Sequence, residues 1–224
     1  MSAAGLSYRL YGYWRSSSSY RVRIGLGLKG LAYENVPVHL LEGGGQHKTA
    51  EFTEKNAMQQ VPLLEVEGAP GEPVRLAQSV AILEYLEETV PTPALLPSDA
   101  LSRAHVRAAV EIVNSGTQPL QNLSLLQALK AAGADGQAFA KAANERGLTA
   151  LEQVARNHGR GYLVGNALSL AEVFLVPQLY SARRFGVDVS LFPRLTAIEE
   201  RCNELPAFAA AHPDRQPDAV LAPA

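Results

Sequence analysis

Four consecutive serines, Ser16 to Ser19, follow a short aromatic segment near the start of the chain and precede an apolar one. Serine is a preferred N-terminal cap of a helix, and the free backbone N–H groups at a helix start favour an anion or a thiolate. Arg15, Arg21 and Arg23 add positive charge to the same stretch. The pattern predicts a site for an acidic ligand at the start of a helix.

A second hydroxyl stands at the start of a later predicted helix. Gln78 and Ser79 precede apolar positions with helical spacing, which include Ile82 and Leu86. Two helix starts capped by hydroxyls in one small α/β domain indicate a ligand with anionic groups. The local pattern fits equally well with serines that only cap their helices.

Other chemical patterns are weak. The spacing Gly25-x-Gly27-x-x-Gly30 has the letters of a dinucleotide-binding motif. That motif requires its first glycine in the turn directly after a strand, so we expect these glycines to pack a helix closely and Gly30 to end it. The histidines fit no metal-binding spacing, and we expect no metal. The sequence has no G-x-S-x-G nucleophile elbow, which argues against a serine hydrolase. The single cysteine, Cys202, is expected to be a buried structural thiol.

Composition gives no support for a nucleic-acid-binding, membrane-binding or disulfide-stabilised protein. The chain has 224 residues, 47% of them hydrophobic, and a net charge of -2, which gives no reason to expect nucleic acid or a membrane surface as a partner. A lone cysteine excludes an intramolecular disulfide and fits a reducing compartment. The first residues lack the pattern of a signal peptide, and we expect a cytoplasmic protein.

The elements that must position these residues divide into two groups. Strands are predicted over 7–13, 34–40, 61–66 and 74–76, with a flexible loop over 42–46 and a turn over 68–72. One helix is predicted after the serine run, and another begins at Ser79 and stops before Pro91. Residues 22–28 also alternate like a strand, and the serine cap favours a helix there. Beyond a proline-rich linker, helical spacing recurs over 101–115, 118–132, 136–157, 169–184 and 193–210. Ser169 and Glu172 have the spacing of a capping box at the start of the fourth of these helices. The tail from His212 onward is predicted to be extended. The fold class is α/β followed by all-α.

Several of these segments together resemble one family. They are Tyr13-Trp14-Arg15-Ser16-Ser17 with Arg21-Val22-Arg23-Ile24, Gln60-Val61-Pro62, and Gln78-Ser79-x-Ala81-Ile82. These motifs resemble the zeta class of glutathione transferases. The resemblance extends over nearly the whole chain through residues 118–124, 175–178, 184–188 and 215–218.

The resemblance implies a fold and an assembly. It implies a thioredoxin-like, glutathione-binding domain over 1–89, a linker over 90–98, an all-helical substrate-binding domain over 99–224, and a homodimer. It also implies that residues after the serine run form a helix and that the Val61–Pro62 peptide bond is cis.

The resemblance further implies a reaction with glutathione as cofactor. Glutathione's thiolate would add to the double bond of maleylacetoacetate, allow rotation, and leave to give fumarylacetoacetate. Alternatives are the same chemistry on maleylpyruvate, general glutathione conjugation of small halogenated acids, and a non-catalytic glutathione-binding module.

The same resemblance implies roles for individual residues. Ser16 and Ser17 are the expected catalytic hydroxyls, assisted by the N–H groups of Ser17 to Ser19, and Arg15 and Arg184 are expected to bind substrate carboxylates. The expected glutathione-binding residues are Ser16, Ser17, Ser18, Ser19, Tyr20, Arg21, His47, Val61, Gln78, Ser79, Gln118, Asn122, Leu123 and Ser124. Two positions depart from the family pattern, because Ser18 stands where cysteine is frequent and His47 where glutamine is common.

Overall fold

The computed structural model describes residues 5–68 and 73–220. The chain forms two compact units. The first comprises the chain up to Pro93 together with the segment from Leu205 onward, and the second comprises Ala94–Glu204. No helix among the described residues is long and apolar enough to cross a membrane.

The first unit contains a mixed four-stranded sheet. Its strands are β1 (Ser7–Gly12), β2 (Glu34–Pro37), β3 (Leu63–Glu67) and β4 (Val74–Ala77), in the order β2-β1-β3-β4. Strand β1 runs parallel to β2 and antiparallel to β3, and β4 runs antiparallel to β3. The predicted turn over 68–72 lies mostly outside the described residues. The predicted second strand is three residues too long, because the chain turns away at His39, whose N–H donates to Gln46 Oε1.

Helices α1 (Ser17–Leu28), α2 (Ala50–Lys55) and α3 (Ser79–Thr89) complete the first half of this unit. Helix α1 and helix α3 pack together, and their apolar side chains share a core with β1 and β3. The helix prediction after the serine run is confirmed. The strand-like alternation there does not reflect alternating exposure, because Arg21 and Arg23 are as buried as the apolar residues between them.

The glycines of α1 allow close packing. A Cβ added at Gly25 would lie 2.2 Å from Leu83 Cδ2, and one at Gly27 would lie 3.2 Å from Ala207 Cβ. Gly30 follows the C-cap residue Lys29 and has a φ of +66°, in the left-handed region that glycine adopts without strain. The interpretation of these glycines as packing and helix-ending residues is confirmed.

The loop between β2 and α2 contains two short turns. The segment predicted as a flexible loop over 42–46 forms 3-10 turns at Glu42–Gly44 and Gln46–Lys48.

The second unit is helical. It contains α4 (Ala100–Asn114), α5 (Leu123–Ala131), α6 (Gly136–His158), α7 (Leu170–Arg184) and α8 (Pro193–Asn203). The capping box is confirmed: Ser169 Oγ accepts from Ala171 N–H, and Ser169 N–H donates to Glu172 Oε2 over 2.8 Å. Burial of this carboxyl group raises the pKa of Glu172.

Two predicted helices are interrupted. The helix predicted over 118–132 is a 3-10 turn at Gln118–Gln121 followed by α5, because Asn122 takes extended dihedral angles at the junction. The helix predicted over 193–210 ends at Asn203, and α9 (Pro206–Ala211) restarts at a proline. These two pieces belong to different units.

Residues 205–220 belong to the first unit. A 3-10 turn at Pro213–Arg215 makes the prediction of an extended tail wrong at that point.

The prediction for Cys202 is confirmed, since its side chain is fully buried and burial raises the pKa of its thiol.

Candidate functional site

The three motifs of the first unit meet at one end of its sheet. In the strand register, Tyr11 near the end of β1 pairs with Leu63 at the start of β3, which pairs with Ala77 at the end of β4. The chain leaves β1 into the serine segment, enters β3 through Val61–Pro62, and leaves β4 into Gln78–Ser79. Residues distant in sequence are therefore brought together by the antiparallel pairing.

A tight turn carries the chain from β1 into α1. Ser16 N–H donates to Tyr13 C=O over 3.0 Å, which closes a turn with Trp14 and Arg15 at its central positions. Ser16 then caps α1, and its Oγ accepts from Ser19 N–H over 3.2 Å. Because a hydroxyl both accepts and donates, the hydrogen of Ser16 remains available for a ligand.

The other serines have different environments. The N–H groups of Ser17 and Ser18 have no acceptor within the described parts of the chain, as is usual in a first helical turn. The N–H of Ser19 already donates to Ser16 Oγ over 3.2 Å, and its assisting role stays a prediction. Ser19 is fully buried, and its Oγ accepts from Tyr13 N–H. It holds the turn and has no surface for a ligand.

Tyr20 and Arg21 also have no exposed surface. Tyr20 packs its ring against His212, and its N–H donates to Ser16 C=O. Arg21 Nη1 donates to Ser79 Oγ over 3.2 Å. The structure therefore gives neither side chain direct access to a ligand, and Arg21 acts on Ser79.

Ser79 is the first residue of α3, and the helix cap is Gln78. The expectation that a serine hydroxyl caps this helix is wrong, because Ser79 Oγ is occupied by Arg21 and Gln78 makes no capping hydrogen bond. Since arginine only donates, the hydrogen of Ser79 stays free to donate elsewhere.

The backbone at Gln78 is strained. Gln78 has a φ of +71°, a conformation that residues other than glycine seldom adopt. Such strain persists where the surrounding structure holds it, often beside a functional site. The Gln78 side chain is exposed at this end of the sheet, where its Nε2 donates to Gln60 Oε1 over 3.3 Å.

The Val61–Pro62 peptide bond is cis, as expected. Val61 lies just before β3, and neither its N–H nor its C=O is hydrogen-bonded within residues 5–68 and 73–220. An extended ligand with peptide groups could pair with this backbone as an added strand does.

His47 and Arg15 are two further predicted site residues of the first unit, and their surroundings differ. His47 lies in the 3-10 turn before α2, half-buried, and burial together with Lys48 lowers the pKa of its imidazole. Arg15 is half-exposed in the serine turn between β1 and α1, with its guanidinium carbon 5.1 Å from the centre of the Trp14 ring.

In the second unit, the predicted residues Gln118 to Ser124 occupy the 3-10 turn and the start of α5. Gln118 Nε2 donates to Asn122 Oδ1 over 2.5 Å, so these two side chains lie together. Leu123 and Ser124 begin α5, and Ser124 is exposed. Arg184 lies apart from this segment in sequence, exposed at the last residue of α7 and 5.9 Å from the Phe185 ring centre.

A buried cluster of three side-chain amides supports the 3-10 turn at Gln118–Gln121. Gln121 Oε1 accepts from Asn144 Nδ2 over 2.7 Å and from Gln178 Nε2 over 3.2 Å, and Gln178 Nε2 also donates to Asn144 Oδ1. Asn144 and Gln178 are fully buried. These bonds tie Gln121 to α6 and α7 and so fix the turn that carries Gln118, while Gln178 Oε1 is buried without a hydrogen-bond partner among the described residues.

Sequence reasoning missed two residues that form hydrogen bonds to the backbone of the serine turn. Asp218 Oδ2 accepts from Trp14 N–H, and Arg23 Nη2 donates to Trp14 C=O. Both residues belong to segments that carry the family resemblance, but their spacing gave no sign that they meet.

Known proteins share both sequence and structure with this chain. Residues 6–88 match the N-terminal domain of glutathione S-transferase, and residues 134–206 match its C-terminal domain. A maleylacetoacetate isomerase from Rattus norvegicus is 47% identical over 93% of this chain and 94% of its own length.

Two solved structures match over similar lengths. Maleylacetoacetate isomerase from Anaeromyxobacter dehalogenans 2CP-1, with glutathione bound in its active site, is 50% identical, with a TM-score of 0.88 over 96% of this chain and 99% of its own. A maleylpyruvate isomerase described as a zeta-class bacterial glutathione S-transferase is 40% identical, with a TM-score of 0.87 over 95% of this chain and 100% of its own. This chain therefore belongs to the glutathione S-transferase family, in its zeta class.

Proposed function

We propose that this protein is a glutathione-dependent isomerase that converts maleylacetoacetate to fumarylacetoacetate. The observation that carries the proposal is the meeting of the Ser16 turn, the cis Val61–Pro62 segment and Gln78–Ser79 at one end of the sheet. The identity of 47–50% to proteins named maleylacetoacetate isomerase supports the choice of substrate.

The residues of the first unit fit glutathione. Val61 offers unpaired peptide groups that suit the cysteinyl part of this peptide, and Gln78 and Ser79 offer donors for its γ-glutamyl carboxylate. The free N–H groups of Ser17 and Ser18 and the hydroxyl hydrogen of Ser16 suit a thiolate.

Contacts from other predicted residues rest on the family resemblance. We assign His47, Gln118, Asn122, Leu123 and Ser124 to glutathione on that ground alone.

Bound glutathione supplies a thiolate that adds reversibly to the maleyl double bond, so that the bond can rotate before the thiolate leaves. Ser16 lowers the thiol pKa by donating a hydrogen bond to the charged sulfur, with the first turn of α1 adding the positive end of the helix dipole. Ser17 stands next to it as the second hydroxyl. Arg15 and Arg184 serve the two substrate carboxylates, for which a guanidinium is well suited.

The decisive experiment is an absorbance assay with maleylacetoacetate and with maleylpyruvate, each with and without glutathione. We expect faster isomerisation of maleylacetoacetate and no catalysis without glutathione. Equal rates with and without glutathione would refute the mechanism. Faster turnover of maleylpyruvate would instead favour the activity of the 40% identical zeta-class relative.

The same preparation separates the remaining alternatives. Release of halide from a small halogenated acid, without isomerisation, would indicate a general glutathione transferase. Retention on immobilised glutathione with no turnover of any of these acids would indicate a binding module.

We further propose that the protein is a cytoplasmic homodimer. The resemblance to the zeta class motivates the dimer, and a single, buried cysteine fits a reducing compartment. Light scattering of the purified protein tests the dimer, since a monomer mass at micromolar concentration would contradict it.

A further inference from the structure

The segment after Leu205 folds back onto the unit that contains the serine turn. Helix α9 packs against α1, and Gly27 allows Ala207 to approach closely. The chain then continues through the 3-10 turn at Pro213–Arg215 to Asp218. The last described residues therefore lie against the turn that leads into α1.

Asp218 and Arg23 form hydrogen bonds to the backbone N–H and C=O of Trp14, respectively. Trp14 N–H donates to Asp218 Oδ2 over 3.1 Å, and Arg23 Nη2 donates to Trp14 C=O over 3.0 Å. Arg23 Nε also donates to Ala211 C=O over 3.0 Å, so one buried guanidinium joins the turn to the C-terminal segment. Hydrogen bonds with a charged partner are shorter and stronger than neutral ones.

The held residue lies two positions before the proposed catalytic hydroxyl. Trp14 and Arg15 are the central residues of the turn that Ser16 N–H closes onto Tyr13 C=O. A rotation of the Trp14 peptide would therefore displace both the Ser16 hydroxyl and the Arg15 side chain. Donors to a thiolate act only when they are held near their productive geometry.

We propose that Asp218 is a positioning residue for the serine turn and that it acts through its hydrogen bond to Trp14 N–H. The inference rests on the proposed use of Ser16 as the donor to the glutathione thiolate. It assigns a role to the Arg215–Asp218 segment, which the mechanism above does not use.

The carboxylate geometry allows the bond and the charge of Asp218 to be tested separately. Its Oδ1 is buried without a hydrogen-bond partner among the described residues, whereas Oδ2 accepts from Trp14. In Asp218→Asn the amide oxygen can replace Oδ2 as the acceptor from Trp14 N–H, while the NH₂ group takes the position of Oδ1. Asp218→Asn thus keeps the bond and removes the charge, and Asp218→Ala removes both.

The two explanations predict shifts of opposite sign in the pKa of the bound glutathione thiol. If Asp218 acted through its negative charge, both variants would lower that pKa, because a nearby anion disfavours a thiolate. If Asp218 positions the turn, Asp218→Ala raises the thiol pKa and Asp218→Asn does not.

The test is a titration of the glutathione thiolate by its ultraviolet absorbance, on purified full-length protein saturated with glutathione, combined with steady-state kinetics. For Asp218→Ala we expect a thiol pKa about one unit higher and a kcat about tenfold lower, with KM changed less than about threefold. Asp218→Asn should retain most of kcat. Asp214→Ala removes an exposed carboxylate from the neighbouring 3-10 turn, Pro213–Arg215, and should leave both the thiol pKa and kcat unchanged.

A thiol pKa in Asp218→Ala that is equal to or below the wild-type value would overturn the inference, whatever the change in melting temperature. If Asp218→Ala does not fold, Asp218→Glu carries the test, because it keeps the charge but moves the acceptor and should also raise the thiol pKa. The titration involves no maleyl substrate, so its result stands apart from the outcome of the isomerase assay.

Discussion

Ser16 has two separable tasks in this structure, and substitutions can divide them. Its Oγ accepts from Ser19 N–H as the cap of α1, while its hydrogen is free to donate to a thiolate. Ser16→Ala removes both functions. Ser16→Asp keeps an acceptor of equal capping strength but has no hydrogen to donate when ionised, and it places a negative charge beside the thiolate.

The expected magnitudes follow from these two bonds. Loss of the cap in Ser16→Ala should lower the free energy of unfolding by about 1 kcal/mol, and Ser16→Asp should stay near wild type. A hydrogen bond to a charged group contributes about 1.5–3 kcal/mol. At about 1.4 kcal/mol for each pKa unit, its loss should raise the thiol pKa of bound glutathione by about one to two units in Ser16→Ala. Ser16→Asp should raise that pKa further through charge repulsion.

Urea denaturation measures the first quantity and ultraviolet titration of the glutathione thiolate the second. Thr49→Ala is a matched control, because Thr49 Oγ1 caps α2 in the same unit by accepting from Phe52 N–H over 3.3 Å. It should lose similar stability with an unchanged thiol pKa. If both Ser16 variants kept the wild-type thiol pKa, Ser16 would not be the donor, and Ser17 would become the candidate.

Two further predictions concern the framework of each unit. In Gly147→Ala the new Cβ would lie 2.1 Å from Thr117 Oγ1, so overpacking of about 1–3 kcal/mol should exceed the helix-propensity gain of about 1 kcal/mol. Gly136→Ala is the matched control in the same helix, α6, where the nearest atoms to a new Cβ would be those of Leu126 at 3.4 Å. It should not destabilise, and equal melting temperatures for the two variants would refute the packing argument. Burial alone would raise the pKa of Glu65, but hydrogen bonds and charge from two arginines hold it below the ordinary value of 4.5. Glu65 therefore stabilises the fold above that pH, and Glu65→Gln should cost about 1–3 kcal/mol at pH 7, a difference that shrinks as pH falls below about 4 in urea denaturation. A pH-independent difference would contradict this assignment.

The sequence predicted the parts of this molecule that depend on local chemistry. The cap at Ser16, the capping box at Ser169, and the end of α1 at Gly30 each require particular residues within a few positions. Helix breaks were harder to predict, because the apolar spacing over 193–210 continues through the interruption before Pro206.

The site followed from the sequence only through motifs recognised together. No spacing rule connects Ser16, Val61 and Gln78, since strand register alone brings them to one end of the sheet. Arg21 shows the limit of such recognition. Its place in a motif indicated ligand contact, whereas its guanidinium is fully buried and donates to Ser79.

The turn at Ser16 also explains why the buried arginines of α1 resist interpretation from sequence. Charge next to a serine run suggests a ligand, yet Arg23 uses its charge on the C=O groups of Trp14 and Ala211, which the chain brings together from opposite ends. A buried guanidinium must be met by acceptors, and here these acceptors are backbone groups of the turn and of the C-terminal segment. The serine and arginine cluster is thus divided by depth. Ser16 and Arg15 are available to ligands, while Ser19 and Arg23 fix the backbone that presents them and Arg21 donates to Ser79.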